Sequence, residues 1–214
     1  MEKTITIVIP CYEMNGKGAE YLDRLFNSLQ IQSHKYIEVI VVDNSKDESL
    51  KDVCQKYFLD YMYIKNPNGN CTKNLNMGIK HATGSLIRFI AQDDYLAHEH
   101  ALKDTLEAFR GKWLVVGCSN NPKPYWTGDI HQGNNKLGGP SCLTIKNDNP
   151  LFFNEELTWM FDCDYYKRMF DLYGEPTILD GVNVEIGIGE HQLTDTLSSS
   201  LKRDEVLKLR EIYD

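Results

Sequence analysis

Short β-branched runs alternate along the first half of the chain with stretches whose apolar residues recur at helical period. Thr4 to Pro10 (T-I-T-I-V-I-P) and Ile37 to Val42 (I-E-V-I-V-V) are near-continuous apolar runs of strand length, the first stopped by proline. Between them lies a loop over Cys11 to Gly18. Tyr21, Leu22, Leu25, Phe26 and Leu29 then predict an amphipathic helix to about Gln32. Asp47 and Ser49 open a further helix through Leu50, Val53, Cys54 and Tyr57, and a short strand covers Tyr61 to Lys65. Leu75, Ile79 and Ala82 mark a helix within Cys71 to Gly84, with Gly84 as the glycine that stops it. Its Asn74, Asn76 and Gly78 are poor helix formers, which predicts close packing or polar contacts near its start. The order β-α-β with apolar strands predicts an α/β fold, parallel pairing and helices on the sheet faces.

Ser85 to Tyr95 (S-L-I-R-F-I-A-Q-D-D-Y) is the stretch the rest is organised around. Leu86 to Ala91 is a buried strand, and Asp93 and Asp94 follow it where an open α/β sheet places its ligands. Neighbouring carboxylates repel, so the pair suits either a divalent cation bridging a phosphate-bearing substrate or a solvated Asp-Asp turn. Asp43 ends the second strand, at the position from which nucleotide-binding folds reach a ribose or base; it also suits a turn or helix N-cap.

The second half is less regular. A helix runs through Leu102, Leu106 and Phe109, and Trp113 to Cys118 is another strand. His98 and His100, two residues apart at a helix start, point to different faces and take no role. Ser119 to Gly139 has no period; its Tyr125 and Trp126 suit either stacking against a sugar or sealing the loop onto the core. In Leu157 to Arg168, Trp159, Asp162, Tyr166 and Met169 share a helical face, so Asp162 projects beside an apolar surface that raises its pKa. It suits a general base or an N-cap acid. Pro176 to Ile188 gives two short strands, and Ser198 to Ser200 cap a terminal helix with Val206, Leu209, Ile212 and Tyr213 on one side.

Composition narrows the classes. A chain of 214 residues with 42% hydrophobic and 25% charged residues suits one soluble domain, and a net charge of −8 argues against nucleic-acid binding. An anionic substrate therefore needs a local cation. The six cysteines form no C-x-x-C pair and are expected to be reduced thiols. No signal-peptide pattern opens the chain and no apolar run approaches the ~18 residues of a membrane span, so a cytoplasmic protein is expected.

Four motifs in order, I-V-I-P-C-Y-E, V-I-V-V-D-N-S, N-x-N-x-G-I-K-x-A-x-G and I-R-F-I-A-Q-D-D, resemble the nucleotide-binding half of family 2 glycosyltransferases. The resemblance implies the GT-A fold as a single domain, with a mainly parallel central sheet flanked by helices. Its nucleotide-binding half would be residues 1–95, its acceptor and catalytic half 96–195, and a terminal helix 196–214. It implies that Pro10, Tyr12 and Glu13 line the base and ribose and that Asp43, Asn44, Lys73, Asn74 and Asp93 contact the nucleotide sugar. Asp94 would hold a divalent cation, Mn²⁺ or Mg²⁺, with His191 as a further ligand. Asp162 and Arg168 match the spacing of the family's base-bearing helix, which makes Asp162 the candidate base and Asp164 the alternative. Gly138 to Lys146 resembles the floor under the donor sugar. Ala91 stands where many relatives have the first Asp of the triplet, and Leu75 where many have an Arg.

The function this implies is inverting transfer of a sugar from a nucleotide diphosphate donor, a UDP-sugar favoured over a GDP-sugar, to an acceptor hydroxyl on a glycan, lipid or protein. Two other readings are a noncatalytic nucleotide-sugar binding module and a sugar nucleotidyltransferase, the latter lacking here its glycine-rich loop after the first strand.

Overall fold

The computed structural model describes residues 4–189 and 192–214. Among these, eight strands, β1 (Ile5–Cys11), β2 (Ile37–Asp43), β3 (Tyr61–Lys65), β4 (Leu86–Phe89), β5 (Tyr95–Leu96), β6 (Trp113–Cys118), β7 (Leu143–Lys146) and β8 (Thr177–Glu185), form one sheet in the order β3-β2-β1-β4-β7-β6-β8-β5. The β1–β2, β2–β3, β1–β4 and β6–β8 pairs are parallel. β7 runs antiparallel to β4 and β6, and β5 antiparallel to β8. The fold is the expected α/β arrangement. From β1 the chain winds outward through β2 and β3, then returns to lay β4 on the other side of β1. That reversal is a topological switch point, where loops diverge and leave a crevice beyond the strand ends.

The helices are α1 (Gly18–Gln30), α2 (Ser49–Cys54), α3 (Cys71–His81), α4 (Ala101–Ala108), α5 (Phe161–Tyr173), α6 (Leu193–Thr196) and α7 (Ser199–Tyr213). α3 lies on β1 and β2. Its odd composition is explained by that contact: a Cβ on Gly78 would fall 2.2 Å from Val8 Cγ1, so only glycine permits the approach. Asn76 pins the 150s loop, donating to Phe153 O at 2.9 Å and accepting from Phe153 N at 2.7 Å. β4 carries Arg88 fully buried, its guanidinium donating to Thr105 Oγ1 at 2.7 Å.

Three expectations change. Gly84 does not terminate α3, which ends at His81 with Ala82 extended; it is glycine because a Cβ there would meet Thr6 Oγ1 at 2.7 Å. Residues 177–185 form one strand rather than two, with a register shift against β6 and Gly181 in the left-handed region at φ 96°. Trp159 precedes α5 rather than sharing its face, since the helix begins at Phe161.

Candidate active site

The carboxyl ends of β1 and β4 open into a cavity of about 410 Å³. Pro10 and Cys11 line it from the end of β1, Tyr12 and Met14 from the loop that follows, Asn44 after β2, Cys71 and Leu75 from α3, and Ala91 to Asp94 after β4. Pro140, Phe161, Gly187, Gln192 and Thr194 contribute from the second half. Leu75 makes apolar the wall where an arginine was expected. The β1–α1 loop holds Met14 and Asn15 in left-handed backbone at φ 46° and 54°, conformations that persist only where the surroundings impose them. Gln92 braces this loop: its buried amide accepts from Tyr12 N at 2.9 Å and donates to Gly18 O at 2.7 Å, tying both ends of the loop to the end of β4.

Asp93 and Asp94 both reach the cavity, in different environments. Asp94 is 5% exposed and accepts from Gly187 N at 2.7 Å, whereas Asp93 is half-buried. Burial first, and the neighbouring Asp93 second, push the Asp94 carboxyl up to about 7. The Ser141 hydroxyl bonds Asp94 and accepts from Ala91 N at 2.8 Å, so the 140s turn is keyed to the acidic pair. A divalent cation fits this corner because it offsets both the desolvation and the repulsion. No cluster of three or more His, Cys, Asp or Glu surrounds such an ion among the described residues, so a substrate diphosphate and water would complete its shell. His191 lies outside the described residues.

The remaining donor-side expectations separate into wall and support. Pro10, Tyr12 and Asn44 are wall residues. Asp43 is fully buried: its carboxylate accepts from Ser45 N and Oγ, both at 2.7 Å, from Lys65 Nζ at 2.8 Å and from the Tyr63 hydroxyl. It braces the β2 turn one residue before the wall residue Asn44. Asn74, also fully buried, donates to Val42 O at 3.0 Å and Asn44 Oδ1 at 2.9 Å, so it sets the pose of Asn44. Lys73 is exposed and Glu13 half-buried, and neither is a wall residue.

Asp162 sits in the first turn of α5, next to the wall residue Phe161. Its electrostatic influence reaches the wall residue Cys71, whose thiol is pushed up to about 12 by burial, then by Asp162, then by Asp93. The acidic pair lines the cavity; Asp162 does not itself line it but follows the wall residue Phe161 and acts electrostatically on the wall residue Cys71. Burial raises the Asp162 carboxyl to about 6, opposed by its bonds to Cys163 N at 2.8 Å and Asn135 Nδ2 at 3.0 Å. It is ionised at neutral pH yet poorly solvated, as a general base requires. Asn135 is itself fixed, its Oδ1 accepting from Leu137 N at 2.8 Å. Asp164, the alternative base, is buried against Arg168 at 2.7 Å and accepts from Tyr213 Oη at 2.7 Å, a structural tie between α5 and α7. Trp126 seals its loop, stacked on Phe170 with centroids 4.3 Å apart, while Tyr125 is exposed.

These shifts carry a stability consequence. Between roughly pH 4 and 7 the folded chain holds protons on Asp94 and Asp162 that the unfolded chain, with carboxyl pKa values near about 3.9, has released. Their contribution is full below the unfolded value and is lost as pH rises through about 6 and about 7. The ligand-free protein is expected to unfold at higher urea concentration at pH 5.5 than at pH 7, with the slope reduced in Asp94→Asn. An unfolding midpoint that rises with pH over this interval would contradict the assigned environments.

Residues 6–170 match the sequence profile of Glycosyl transferase family 2. An uncharacterized glycosyltransferase of Rickettsia prowazekii (strain Madrid E) is 36% identical over 118 residues, 53% of this chain and 35% of that protein. The GalNAc(5)-diNAcBac-PP-undecaprenol beta-1,3-glucosyltransferase of Campylobacter jejuni is 30% identical over 101 residues, covering 43% of this chain and 30% of that protein. The chain thus spans about a third of the length of these curated relatives. Among solved structures, S. aureus TarS 1-349 in complex with UDP-GlcNAc aligns with a TM-score of 0.71 at 21% identity, over 98% of this chain and 66% of that one. A mannosyltransferase from Pyrobaculum calidifontis in complex with GDP-Man and Mn²⁺ aligns at 0.67 and 14% identity, over 89% and 58%. At these identities the likeness is one of fold, and it bears out the GT-A expectation.

Proposed function

The chain belongs to glycosyl transferase family 2, and from that premise we propose that it moves a sugar from a nucleotide diphosphate donor to an acceptor hydroxyl with inversion at the anomeric carbon. The observation that carries the reading is the cavity beyond the ends of β1 and β4, with the acidic pair on its wall and with Asp162, whose carboxyl burial raises to about 6, directly after the wall residue Phe161. Residues 1–95 bind the nucleotide, 96–195 hold the acceptor and the base, and 196–214 form the supporting helix. A uridine donor is favoured over a guanosine one, in keeping with the UDP-GlcNAc complex of TarS; GDP-Man in the archaeal mannosyltransferase keeps the second in view.

The steps follow from the residues. Tyr12 and Asn44 receive the nucleoside, the latter oriented by Asn74. Asp162, held by Asn135, removes the acceptor proton as the acceptor oxygen bonds to the anomeric carbon and the bond to the diphosphate breaks. The apolar wall of Leu75, Phe89 and Phe161 limits water in the cavity. A divalent cation held by Asp94, when bound, supplies charge neutralisation of the leaving diphosphate.

Calorimetric titration of a panel of nucleotide diphosphate sugars, with Mn²⁺, with Mg²⁺ and with chelator, tests this. One donor is expected to bind in the presence of the ion and to lose about tenfold or more in affinity in Asp94→Ala, the loss of a charge-assisted contact. Absence of binding by every donor under every condition would remove the reading.

A further inference from the structure

All six cysteines are free, and two of them meet beside the turn that braces the acidic pair. Cys118 ends β6, and Cys142 immediately precedes β7, the antiparallel partner of β6. Their thiols are hydrogen-bonded to each other, and both sulfurs close on Gly138, where a Cβ would stand 2.8 Å from Cys142 Sγ and 3.8 Å from Cys118 Sγ. Their surroundings differ. Cys142 is fully buried and feels Arg88, a buried guanidinium whose Nε and Nη2 have no hydrogen-bond partner; negative charge on this thiol offsets the burial that lowers Arg88 to about 10. Cys118 lies one side chain below the surface, its Sγ 3.0 Å from Oδ1 of the exposed Asn120. The hydrogen bond from Cys142, aided by the backbone of Asn121 and Asn120, holds the Cys118 thiol down to about 7 against burial. A low-pKa thiol under a surface side chain, in contact with a second thiol, is the arrangement in which cysteine is oxidised selectively.

From this juxtaposition we infer that Cys118 and Cys142 form a modification site, a thiol pair that a hydroperoxide converts to a disulfide. The Cys118 thiolate attacks one peroxide oxygen; the O–O bond breaks, leaving a sulfenic acid on Cys118 and releasing hydroxide or alkoxide. Cys142 then attacks that sulfur, the S–O bond breaks and water leaves. The two sulfurs together lose two electrons and the peroxide gains them, so no further reductant or oxidant is needed. The pair is tied to the acidic corner. Ser141, directly before Cys142, bonds Asp94 and accepts from Ala91 N at 2.8 Å. A covalent bond draws the sulfurs closer than their hydrogen bond does, which displaces this turn and loosens Asp94. The consequence for the donor corner rests on the glycosyl-transfer reading above, whereas the modification itself does not.

The test treats the full reduced chain with hydrogen peroxide, blocks the remaining thiols with N-ethylmaleimide and maps the peptides by mass spectrometry. A Cys118–Cys142 linked peptide is expected to form before any other cysteine is oxidised and to revert with dithiothreitol. Cys142→Ser should leave Cys118 as a sulfenic acid that dimedone traps, and Cys118→Ser should give no linked peptide. In calorimetry with UDP and Mn²⁺, oxidation of the wild type is expected to lower affinity about tenfold, the loss of a charge-assisted contact, with dithiothreitol restoring it and Cys118→Ser showing no change on oxidation. Both thiols staying free in peroxide, or becoming oxidised only in urea, overturns the inference on the wild type alone, whatever the variants do. A linked peptide with unaltered UDP affinity overturns the tie to Asp94. Failure of the reduced chain to bind UDP strikes the glycosyl-transfer reading instead and leaves the peptide map to decide the modification, so the two failures are told apart.

Discussion

Asp162→Asn is expected to lower kcat for transfer by about 10²–10⁴-fold, the usual contribution of a general base, while the donor Kd stays within about twofold. The substitution keeps the shape of the side chain and one oxygen able to accept from Cys163 N or Asn135 Nδ2, so α5 and the loop it anchors stay in place. What is lost is the lone pair that takes the acceptor proton. In the wild type, kcat/KM should fall about tenfold per pH unit below about 6, where Asp162 becomes protonated. A mutant that loses donor affinity in step with rate would assign Asp162 to binding. A mutant that retains most of its activity would move the base elsewhere. Asp164→Asn serves as the contrast: that carboxylate is spent on Arg168 and Tyr213, so its loss should appear chiefly in stability.

Most of the sheet was legible because its central strands are β-branched runs buried on both faces, which few other structures accommodate. The acidic pair and Asp162 were legible because each lies in a short contiguous motif. Other site residues take their meaning from partners far along the chain. Gln92 reads as a neutral spacer before two acids, yet it clamps a loop 80 residues earlier. Asn135 sits in a stretch without period and holds a carboxylate 27 residues later. Asp43 is a further case. Its place at the end of β2 suggests a nucleotide contact; the β2–β3 register also sets Lys65 directly opposite it, and Lys65 and Tyr63 donate to the carboxylate, partners that the local pattern does not announce. Local pattern reports which strand end a residue occupies, whereas cross-strand pairing decides what its side chain has left to offer.

The largest expected effect on stability lies outside the recognisable motifs, in α7. Glu205, 8% exposed, accepts from Thr158 N at 2.7 Å through Oε1 and from Trp159 N and Met160 N, both at 2.8 Å, through Oε2. These are successive backbone donors on the approach to α5, whose N-cap residue, Met160, supplies no side-chain cap. One carboxylate thus fixes the entry into the helix that carries Asp162, 45 to 47 residues away in sequence. Glu205→Ala leaves all three donors without it. A buried donor left unsatisfied costs about 1–3 kcal/mol, and water reaching exposed Thr158 offsets part of the sum, so a loss on the order of 3 kcal/mol is expected. Against a domain stability of about 5–15 kcal/mol this is a large fraction, readable as a lower urea midpoint. Glu205→Gln keeps one acceptor oxygen and should fall between Ala and the wild type. Because Tyr213 ties α7 to Asp164 separately, the Ala variant should stay folded in dilute buffer, with transfer reduced more than donor affinity as Asp162 loses its fixed position. An unchanged midpoint in Glu205→Ala would mean that the approach to α5 is held by its own packing and that α7 does not support the base.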